Sequence, residues 1–372
     1  MMSTNANNSC SITNKLARQE LIDMVPYQSA RRLFSSSGEN ATNKIWLNAN
    51  EASGPGSYQL DAHRINRYPD FQPESLLKAY SDYAQQPVSN LLATRGADEG
   101  IELLIRTFCK AYQDNILICP PTYGMYAISA KSHGAGIINV PLKNNILDLE
   151  GLKANRGKVK LVFLCSPGNP TGNLLPQAQI KAAIELFKDS AIVVVDEAYI
   201  EFSAKDSVAA WLEQYENLVV LRTLSKAFAL AGLRCGFTLA NSDIITMLSK
   251  VIAPYPIAAP VAEIASIALA NKNLEQVRTR VEETIGLRRQ LATWLAEQPW
   301  CETIHHSDAN FVLFKARSAK LKTFIFNVLL AQNILIRDQS RQEQLSDCLR
   351  ISIGSECELN LLKQTLTIAF KV

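Results

Sequence analysis

The chain has 372 residues, of which 47% are hydrophobic and 20% are charged, and its formal net charge is +3. At about 150 residues per domain, this length predicts two or three domains. The hydrophobic fraction is typical of a globular protein and excludes a disordered chain. The nearly balanced charge, without a run of lysine and arginine, excludes a protein that binds nucleic acid or a membrane surface by charge alone.

The composition of the N-terminus and the cysteines indicate where the protein works. The first 13 residues are polar, so we expect no signal peptide and a cytoplasmic location. None of the eight cysteines forms a C-x-x-C pair, and we expect free thiols in a reducing compartment. The apolar stretch 251–270 is interrupted by Pro254, Pro256 and Pro260, which predicts an extended segment and then a short helix rather than a membrane span.

Seven short apolar runs in the middle of the chain predict β-strands. They lie at 90–94, 115–119, 136–140, 160–165, 191–195, 218–222 and 236–239. Most are apolar throughout, as expected of strands that are covered on both faces. Helical patterns lie between them, at 100–111, 123–133, 176–187 and 207–214. This alternation predicts an α/β fold around a mostly parallel, seven-stranded, doubly wound sheet.

The pattern changes after residue 274. A long helix is predicted over 274–297, followed by short strands at 311–314, 334–337 and 349–353 and by two more helices. We therefore predict three parts: an N-terminal arm over 1–45 that belongs to the small domain, a large domain over 46–274, and a small α+β C-terminal domain over 275–372.

Several familiar site patterns are missing from the sequence. No G-x-G-x-x-G, H-E-x-x-H or G-x-S-x-G is present, and residues 151–158 (GLKANRGK) miss the phosphate-loop spacing by one residue. The four histidines have no metal-ligand spacing. We expect neither a dinucleotide fingerprint nor a metal site.

Polar side chains instead follow three successive predicted strands. Asn169 lies in SPGNPTG, Asp196 and Tyr199 lie in DEAY, and Lys226 ends TLSK, with Arg234 eight residues later. Because the carboxyl ends of parallel strands meet at one edge of a sheet, these groups are expected to converge on one crevice. Buried charges persist there only when they are paired with each other or with a ligand.

These residue types match the requirements of pyridoxal phosphate. A lysine must condense with its aldehyde, and a carboxylate must keep its pyridine nitrogen protonated so that the ring accepts electrons. Hydrogen-bond donors must hold the ring oxygen, and a cation with helix N-terminal amides must hold the phosphate. The sequence therefore predicts a pyridoxal-phosphate site.

The same motifs carry a family resemblance. SPGNPTG, DEAY and TLSK with the downstream arginine resemble fold-type I pyridoxal-phosphate aminotransferases. Five longer motifs resemble the histidinol-phosphate aminotransferase family: 26–32 (PYQSARR), 46–51 (WLNANE), 67–70 (RYPD), 95–100 (RGADEG) and 223–234 (TLSKAFALAGLR). The similarity extends from about residue 20 to residue 355.

The resemblance implies a role for each matching residue around the cofactor ring. Lys226 would bind the cofactor aldehyde and later move the proton between the substrate α-carbon and the cofactor C4′. Asp196 would pair with the pyridine nitrogen, Asn169 and Tyr199 would bind the ring hydroxyl, and Tyr123 would stack on the ring.

It also implies how the cofactor phosphate is held. The residues expected around it are Ala97 and Asp98 through their backbone N–H groups, Ser225, Arg234 and, as a weaker candidate, Thr223. Tyr68 would reach the phosphate from the neighbouring subunit, so the resemblance implies a homodimer.

For the substrate, the resemblance implies that Arg350, with Arg337 beside it, clamps the phosphate of L-histidinol phosphate and the carboxylate of glutamate in turn. Tyr27 and Asn50 are expected pocket residues. The implied reaction converts L-histidinol phosphate and 2-oxoglutarate into imidazole-acetol phosphate and glutamate, within histidine synthesis. An aromatic-amino-acid aminotransferase, a threonine-phosphate decarboxylase and a non-enzymatic regulatory domain that binds the cofactor stay open as alternatives.

Overall fold

The computed structural model of the chain describes residues 17–22, 24–25, 44–54, 58 and 65–371. A short first strand, β1 (Ile45–Trp46), precedes a seven-stranded sheet. The strands of that sheet are β2 (Leu91–Thr94), β3 (Asn115–Ile118), β4 (Gly136–Asn139), β5 (Leu161–Cys165), β6 (Ile192–Asp196), β7 (Leu218–Thr223) and β8 (Gly236–Ala240). Their spatial order is β2-β8-β7-β6-β5-β3-β4. All seven predicted strands are present.

The sheet is mostly parallel, as predicted. Strands β3 to β7 run in one direction, and only β8 is antiparallel to its neighbours β7 and β2. Because β2 and β7 are both antiparallel to β8, their carboxyl ends lie at the same edge. Every residue of β5, β7 and β8 is buried, which explains why these strands are mostly apolar; the polar exceptions are Arg222, Thr223 and Thr238.

Helices cover both faces of the central sheet, and two apolar clusters form the core between the layers. They are α1 (Gln19–Ile22), α2 (Glu74–Ala84), α3 (Ala97–Phe108), α4 (Met125–His133), α5 (Leu149–Lys153), α6 (Gln177–Leu186), α7 (Ser242–Ser249) and α8 (Ala259–Ala268). Helix α8 carries Pro260 in its first turn and confirms the predicted short helix, whereas residues 251–258 before it form a turn and bends rather than a continuous extended segment. Among the described residues, no helix combines the length and the apolar character needed to cross a membrane.

The helix predicted over 207–214 is wrong. A single 3₁₀ turn, Ala209–Trp211, lies within this range, and another 3₁₀ segment, Ile200–Asp206, ends just before it. The cause is local competition for backbone N–H groups: the N–H of Val208 donates to Glu197 at 2.7 Å, and that of Ala209 donates to the Ser207 hydroxyl at 3.1 Å. Side chains thus take the bonds that an α-helix would need to begin there.

The C-terminal part forms a smaller α+β unit. Its elements are α9 (Asn271–Ala296), β9 (Cys301–Ile304), β10 (Phe311–Ala316), α10 (Ala319–Ala331), β11 (Ile334–Leu335), β12 (Arg337–Asp338), β13 (Cys348–Ser352) and α11 (Glu356–Ala369). Strands β12-β13-β10-β9 make an antiparallel sheet, and β1 pairs with β11 in parallel. The strand predicted over 334–337 is therefore split between two sheets, and β9 was not predicted because CETI is short and half polar. The predicted domain limits at 45/46 and 274/275 stay predictions.

Candidate active site

A cavity of about 500 Å³ lies where the carboxyl edge of the central sheet meets β12 and β13. Thirteen of the fifteen predicted site residues line it: Asn50, Ala97, Asp98, Tyr123, Asn169, Asp196, Tyr199, Thr223, Ser225, Lys226, Arg234, Arg337 and Arg350. Tyr27 lies outside the described residues. Tyr68 does not line this cavity; its side chain is 81% exposed and stacks on Tyr255.

The strand order explains why these residues meet. Asp196 is the last residue of β6 and Thr223 is the last residue of β7, and the two strands are neighbours in the sheet. Asn169 follows β5 on the other side of β6. Lys226 comes three residues after the end of β7. The parallel register thus places a carboxylate between an amide on one side and an amine on the other.

The carboxylate of Asp196 is buried and held by two donors. The hydroxyl of Tyr126 donates to its Oδ2 at 2.6 Å, and the backbone N–H of Ala198 donates to its Oδ1 at 3.0 Å. Burial raises the pKa of Asp196 to about 6, and the two hydrogen bonds oppose that rise. The group is therefore an anion above about pH 6, with one preferred orientation.

The amine of Lys226 lies in the same cavity. Its Nζ donates to the carbonyl of Ala49 at 3.2 Å and lies 5.6 Å from the centre of the Tyr199 ring. Burial, with a smaller contribution from the charge of Arg350, lowers the pKa of Lys226 to about 8. A substantial fraction of this amine is neutral near pH 8, which is the form that attacks a carbonyl carbon.

The hydroxyl of Tyr199 is positioned by two amides. It accepts hydrogen bonds from Nδ2 of Asn50 at 2.9 Å and from Nδ2 of Asn169 at 3.2 Å. A phenol oxygen has two acceptor positions and one hydrogen, so these bonds leave the hydrogen for an acceptor in the cavity. Burial raises the pKa of Tyr199, so the group stays a neutral donor.

An anion-binding corner forms at the start of α3. Gly96 precedes the helix with φ +76°, and no side chain caps the first N–H groups. Arg234 lies beside it, with its Nη2 atom 3.3 Å from Asp98 and its Nη1 atom 3.4 Å from the Ser225 hydroxyl. A side chain at Gly96 would be strained at this positive φ, and its Cβ would lie 2.7 Å from Arg234 Nη2 and displace that guanidinium. Free helix N–H groups and a guanidinium are a common phosphate site.

Two neighbours, Thr223 and Tyr123, stabilise this corner. Thr223 is buried, and its hydroxyl accepts from the N–H of Ser225 at 3.1 Å, which fixes the turn that leads to the lysine. Tyr123 donates to the carboxylate of Asp98 at 2.9 Å, which orients its ring at the cavity wall. Arg234 and Tyr123 therefore offset the charge of Asp98, which would otherwise repel an anion bound at this corner.

Two arginines meet at the opposite end of the cavity. Arg337 of β12 is paired directly with Arg350 of β13 in the antiparallel register. Arg350 is buried; it donates to Oδ1 of Asn169 at 2.5 Å and to the carbonyl of Asn48 at 3.1 Å, and its guanidinium lies 5.1 Å from the Phe311 ring centre. Like charges directly opposite each other destabilise a sheet, and an anion between them removes that repulsion.

Several further residues line the cavity that the sequence motifs did not predict. Those that carry polar groups are Asn48, Glu51, Gln339 and Gln342, and Tyr126 supports the cavity from behind Asp196. The amide of Asn48 is buried and has no hydrogen-bond partner in the described part of the chain. Gln339 and Gln342 follow Arg337 by two and five residues, so their closeness to a predicted site residue could have identified them. Tyr126 carried none, because a buried helix tyrosine is usually a core residue.

The arrangement fits pyridoxal phosphate. One amine with a lowered pKa, one buried carboxylate, a neutral donor at Tyr199 and a helix N-terminus with an arginine match the aldehyde, the pyridine nitrogen, the ring oxygen and the phosphate. Among the described residues, no group of three histidine, cysteine, aspartate or glutamate side chains could hold a metal ion.

Comparisons with known proteins identify the family of the chain. The family model for class I and II aminotransferases matches residues 36–366. The histidinol-phosphate aminotransferase of Colwellia psychrerythraea is 65% identical over 364 residues, covering 95% of this chain and 99% of the relative. That of Yersinia enterocolitica is 52% identical over 349 residues and covers 92% of this chain and 90% of the relative.

Among solved structures, the histidinol-phosphate aminotransferase of Sinorhizobium meliloti in complex with pyridoxal-5'-phosphate superposes with a TM-score of 0.83. It is 23% identical and covers 94% of this chain and 96% of its own, which shows a shared fold. The chain belongs to the class I and II aminotransferases and, within them, to the histidinol-phosphate aminotransferase family.

Proposed function

We propose that the chain catalyses the pyridoxal-phosphate-dependent transfer of an amino group from L-histidinol phosphate to 2-oxoglutarate, giving imidazole-acetol phosphate and glutamate in histidine synthesis. The observation that carries the proposal is a single cavity that holds Lys226 and Asp196 from the central sheet together with the paired Arg337 and Arg350 from the small sheet. The first pair suits the cofactor, and the second suits an anionic substrate group.

Each cofactor residue has a separate task in this proposal. When bound, the cofactor supplies an aldehyde carbon for the amino group and a ring that accepts electrons. The amine of Lys226 holds that carbon and then moves the proton at the substrate α-carbon. Asp196 keeps the ring nitrogen protonated, while Tyr199 and Asn169 orient the ring oxygen. Tyr123 covers one face of the ring.

The phosphate of the cofactor is assigned to the corner at the start of α3. The free N–H groups of Ala97 and Asp98, the hydroxyl of Ser225 and the guanidinium of Arg234 point to this assignment, with Thr223 supporting the turn. Asn50 links this end of the cavity to the other, because its Nδ2 donates to Tyr199 and its Oδ1 accepts from Ser352 of β13.

One pair of arginines serves both amino donors. Histidinol phosphate carries a phosphate-bearing carbon where glutamate carries its α-carboxylate, and a guanidinium binds either anion through two parallel hydrogen bonds. Histidinol phosphate gives up its amino group in one half-reaction and 2-oxoglutarate accepts it in the other, so the same arginines serve the two substrates in turn. The proposal places Tyr27 at the imidazole end of the substrate.

The proposal includes a homodimer in which Tyr68 completes the partner's cofactor site. Its side chain is 81% exposed and stacks on Tyr255, with ring centres 4.4 Å apart. Ile65 and Phe71 are also exposed beside it in the sequence. Exposed apolar side chains concentrated in one stretch are typical of a subunit interface.

The proposal also covers domain organisation and location. We assign 1–45 and 275–372 to one small domain and 46–274 to a large one; the pairing of β1 with β11 supports a link between the two ends of the chain. Six of the seven described cysteines are buried free thiols, which suits a reducing compartment such as the cytoplasm.

Replacement of the lysine tests the mechanism. Lys226→Ala should lower turnover by at least about a thousandfold, because both the covalent hold on the cofactor and the proton transfer are lost. Borohydride treatment should fix the cofactor to the wild-type chain and not to the variant, as measured by intact mass. Turnover by Lys226→Ala close to that of the wild type would contradict the mechanism.

The two alternatives within the fold have distinct outcomes. A threonine-phosphate decarboxylase would release carbon dioxide from its substrate, whereas a transaminase would produce a keto product and glutamate. An aromatic-amino-acid aminotransferase would prefer phenylalanine to histidinol phosphate as amino donor. The paired arginines favour a substrate with a strongly charged anionic end over phenylalanine, whose only anion is the α-carboxylate.

A further inference from the structure

Gln339 shares one face of the small sheet with the two arginines. Arg337 of β12 lies opposite Arg350 of β13, and the N–H of Gln339 continues this ladder by donating to the carbonyl of Cys348 at 3.0 Å. Side chains alternate between faces along a strand, so residues 337 and 339 lie on the same face. Gln339 is only 6% exposed, and it lines the cavity together with both arginines.

Asp338, which lies between Arg337 and Gln339 in the sequence, does not place its negative charge on this face. Asp338 accepts a hydrogen bond from Lys322 at 2.8 Å and another from the N–H of Ser340 at 2.8 Å. Its negative charge is therefore neutralised on the opposite face of the strand. The arginine end of the cavity is lined by Arg337, Arg350 and the neutral amides of Gln339 and Gln342, and the paired charge of Asp338 does not oppose an incoming anion.

The orientation of the Gln339 amide is set by a second glutamine. Nε2 of Gln342 donates to Oε1 of Gln339 at 3.4 Å, and the N–H of Gln342 donates to the Gln339 carbonyl at 2.9 Å. The acceptor end of the Gln339 amide is thus engaged within the turn. Its Nε2 group, with two hydrogens, is the end that can donate to a ligand in the cavity.

The two substrate anions differ in the number and the arrangement of the oxygen atoms that can accept a hydrogen bond from this amide. A carboxylate has two oxygens in one plane, and one guanidinium satisfies both of them. A phosphate monoester has three terminal oxygens in a tetrahedron, so an oxygen projects out of the plane that a guanidinium covers. A third donor adds to phosphate binding and adds little to carboxylate binding.

We infer that Gln339 is a specificity residue that favours a phosphomonoester over a carboxylate at the arginine end of the cavity. The inference rests on the proposed function and deepens it. A neutral amide suits this task better than a third cation, because a cation would strengthen binding of every anion, whereas an amide adds one directional hydrogen bond.

The test measures the two half-reactions separately in the holoenzyme of Gln339→Met, which keeps the side-chain length and removes the donors. The KM for histidinol phosphate should rise about tenfold to a hundredfold, as for loss of a hydrogen bond to a charged group, with kcat nearly unchanged. The KM for glutamate should stay within about twofold of the wild type. Gln344→Met is the matched control, since Gln344 lies in the same loop, is exposed and does not line the cavity.

Equal changes for both substrates, or no change for histidinol phosphate, would overturn the inference. If the thermal midpoint shows that Gln339→Met does not fold, Gln339→Glu provides the second test. The new carboxylate repels a dianion more than a monoanion, so the preference for histidinol phosphate over glutamate should fall. An unchanged preference would overturn the inference. A wild-type enzyme that does not react with histidinol phosphate overturns the proposed function itself. Reaction with an unchanged preference in the variants overturns only the role of Gln339.

Discussion

The hydroxyl of Tyr126 donates to Oδ2 of Asp196 at 2.6 Å from the first turn of helix α4. The ring of Tyr126 is itself fixed, because it is fully buried and stacks on Phe163 with ring centres 4.9 Å apart. A rigid core residue thus sets the direction of the carboxylate that we assign to the cofactor nitrogen. Precise positioning of this kind depends on packing behind the site as much as on the groups that line it.

Removal of this hydroxyl should weaken cofactor binding. In Tyr126→Phe, Asp196 loses a donor that stabilises its charged form, so its pKa rises further and less of it is ionised at pH 7. The affinity of the apoenzyme for pyridoxal phosphate should fall about tenfold, as measured by fluorescence titration. The loss should be larger at pH 6 than at pH 8. Tyr112→Phe, at an exposed tyrosine outside the cavity, is the control, and equal affinities in the two variants would contradict the assignment.

The pH dependence of cofactor capture should follow Lys226. Its pKa is lowered to about 8, and the neutral amine is the reactive form, so the rate of capture by apoenzyme should rise with pH and level off above about pH 8. The charge of Arg350 contributes to the lowered pKa. In Arg350→Met the midpoint should therefore move to higher pH. Stopped-flow absorbance measures this midpoint, and a shift to lower pH would be inconsistent with the account.

Arg337 should matter for substrate affinity more than for chemistry. It lines the arginine end of the cavity from β12 of the small sheet, whereas Asp196 and Lys226 come from the central sheet. Arg337→Met should raise the KM for histidinol phosphate about tenfold or more and leave kcat within a few-fold, because the same contact is made in the ground state and the transition state. Arg317→Met, at an exposed arginine outside the cavity, should behave as wild type. A fall in kcat with unchanged KM would argue against a binding role.

Mixed dimers test the role of Tyr68. If Tyr68 acts across the interface, a dimer of one Lys226→Ala chain and one Tyr68→Phe chain contains one complete site, with the lysine from one chain and the tyrosine from the other. After the two variants are refolded together, one of the two sites in each mixed dimer should bind the cofactor with wild-type affinity. Sites that bind the cofactor as weakly as the Tyr68→Phe homodimer does would show that Tyr68 acts within its own chain or not at all.

Local sequence predicted the strands well because burial on both faces leaves a strong signal. Every residue of β5 and β7 is buried; β5 is apolar throughout, and β7 is apolar up to Arg222. The 207–214 helix failed because its outcome depends on Glu197, a residue ten positions upstream that takes the N–H of Val208. No local pattern reports such a competing bond.

In the candidate site, too, some residues could be predicted from the sequence and others could not. Asn169, Asp196 and Lys226 could be grouped from the sequence, because parallel strands bring their carboxyl ends together. Tyr126 could not, since its role comes from one hydrogen bond made behind the cavity. The facing position of Arg337 and Arg350 depends on the register between β12 and β13, and residue types alone do not fix a register.

The most direct test of the proposed function is a spectroscopic competition between amino donors. Purified holoenzyme should absorb near the edge of the visible range, and the band should shift when histidinol phosphate is added, at concentrations far below those of phenylalanine that have the same effect. Addition of 2-oxoglutarate should reverse the shift and yield glutamate. A shift produced by phenylalanine and not by histidinol phosphate would contradict the central claim that this cavity selects a phosphorylated amino donor.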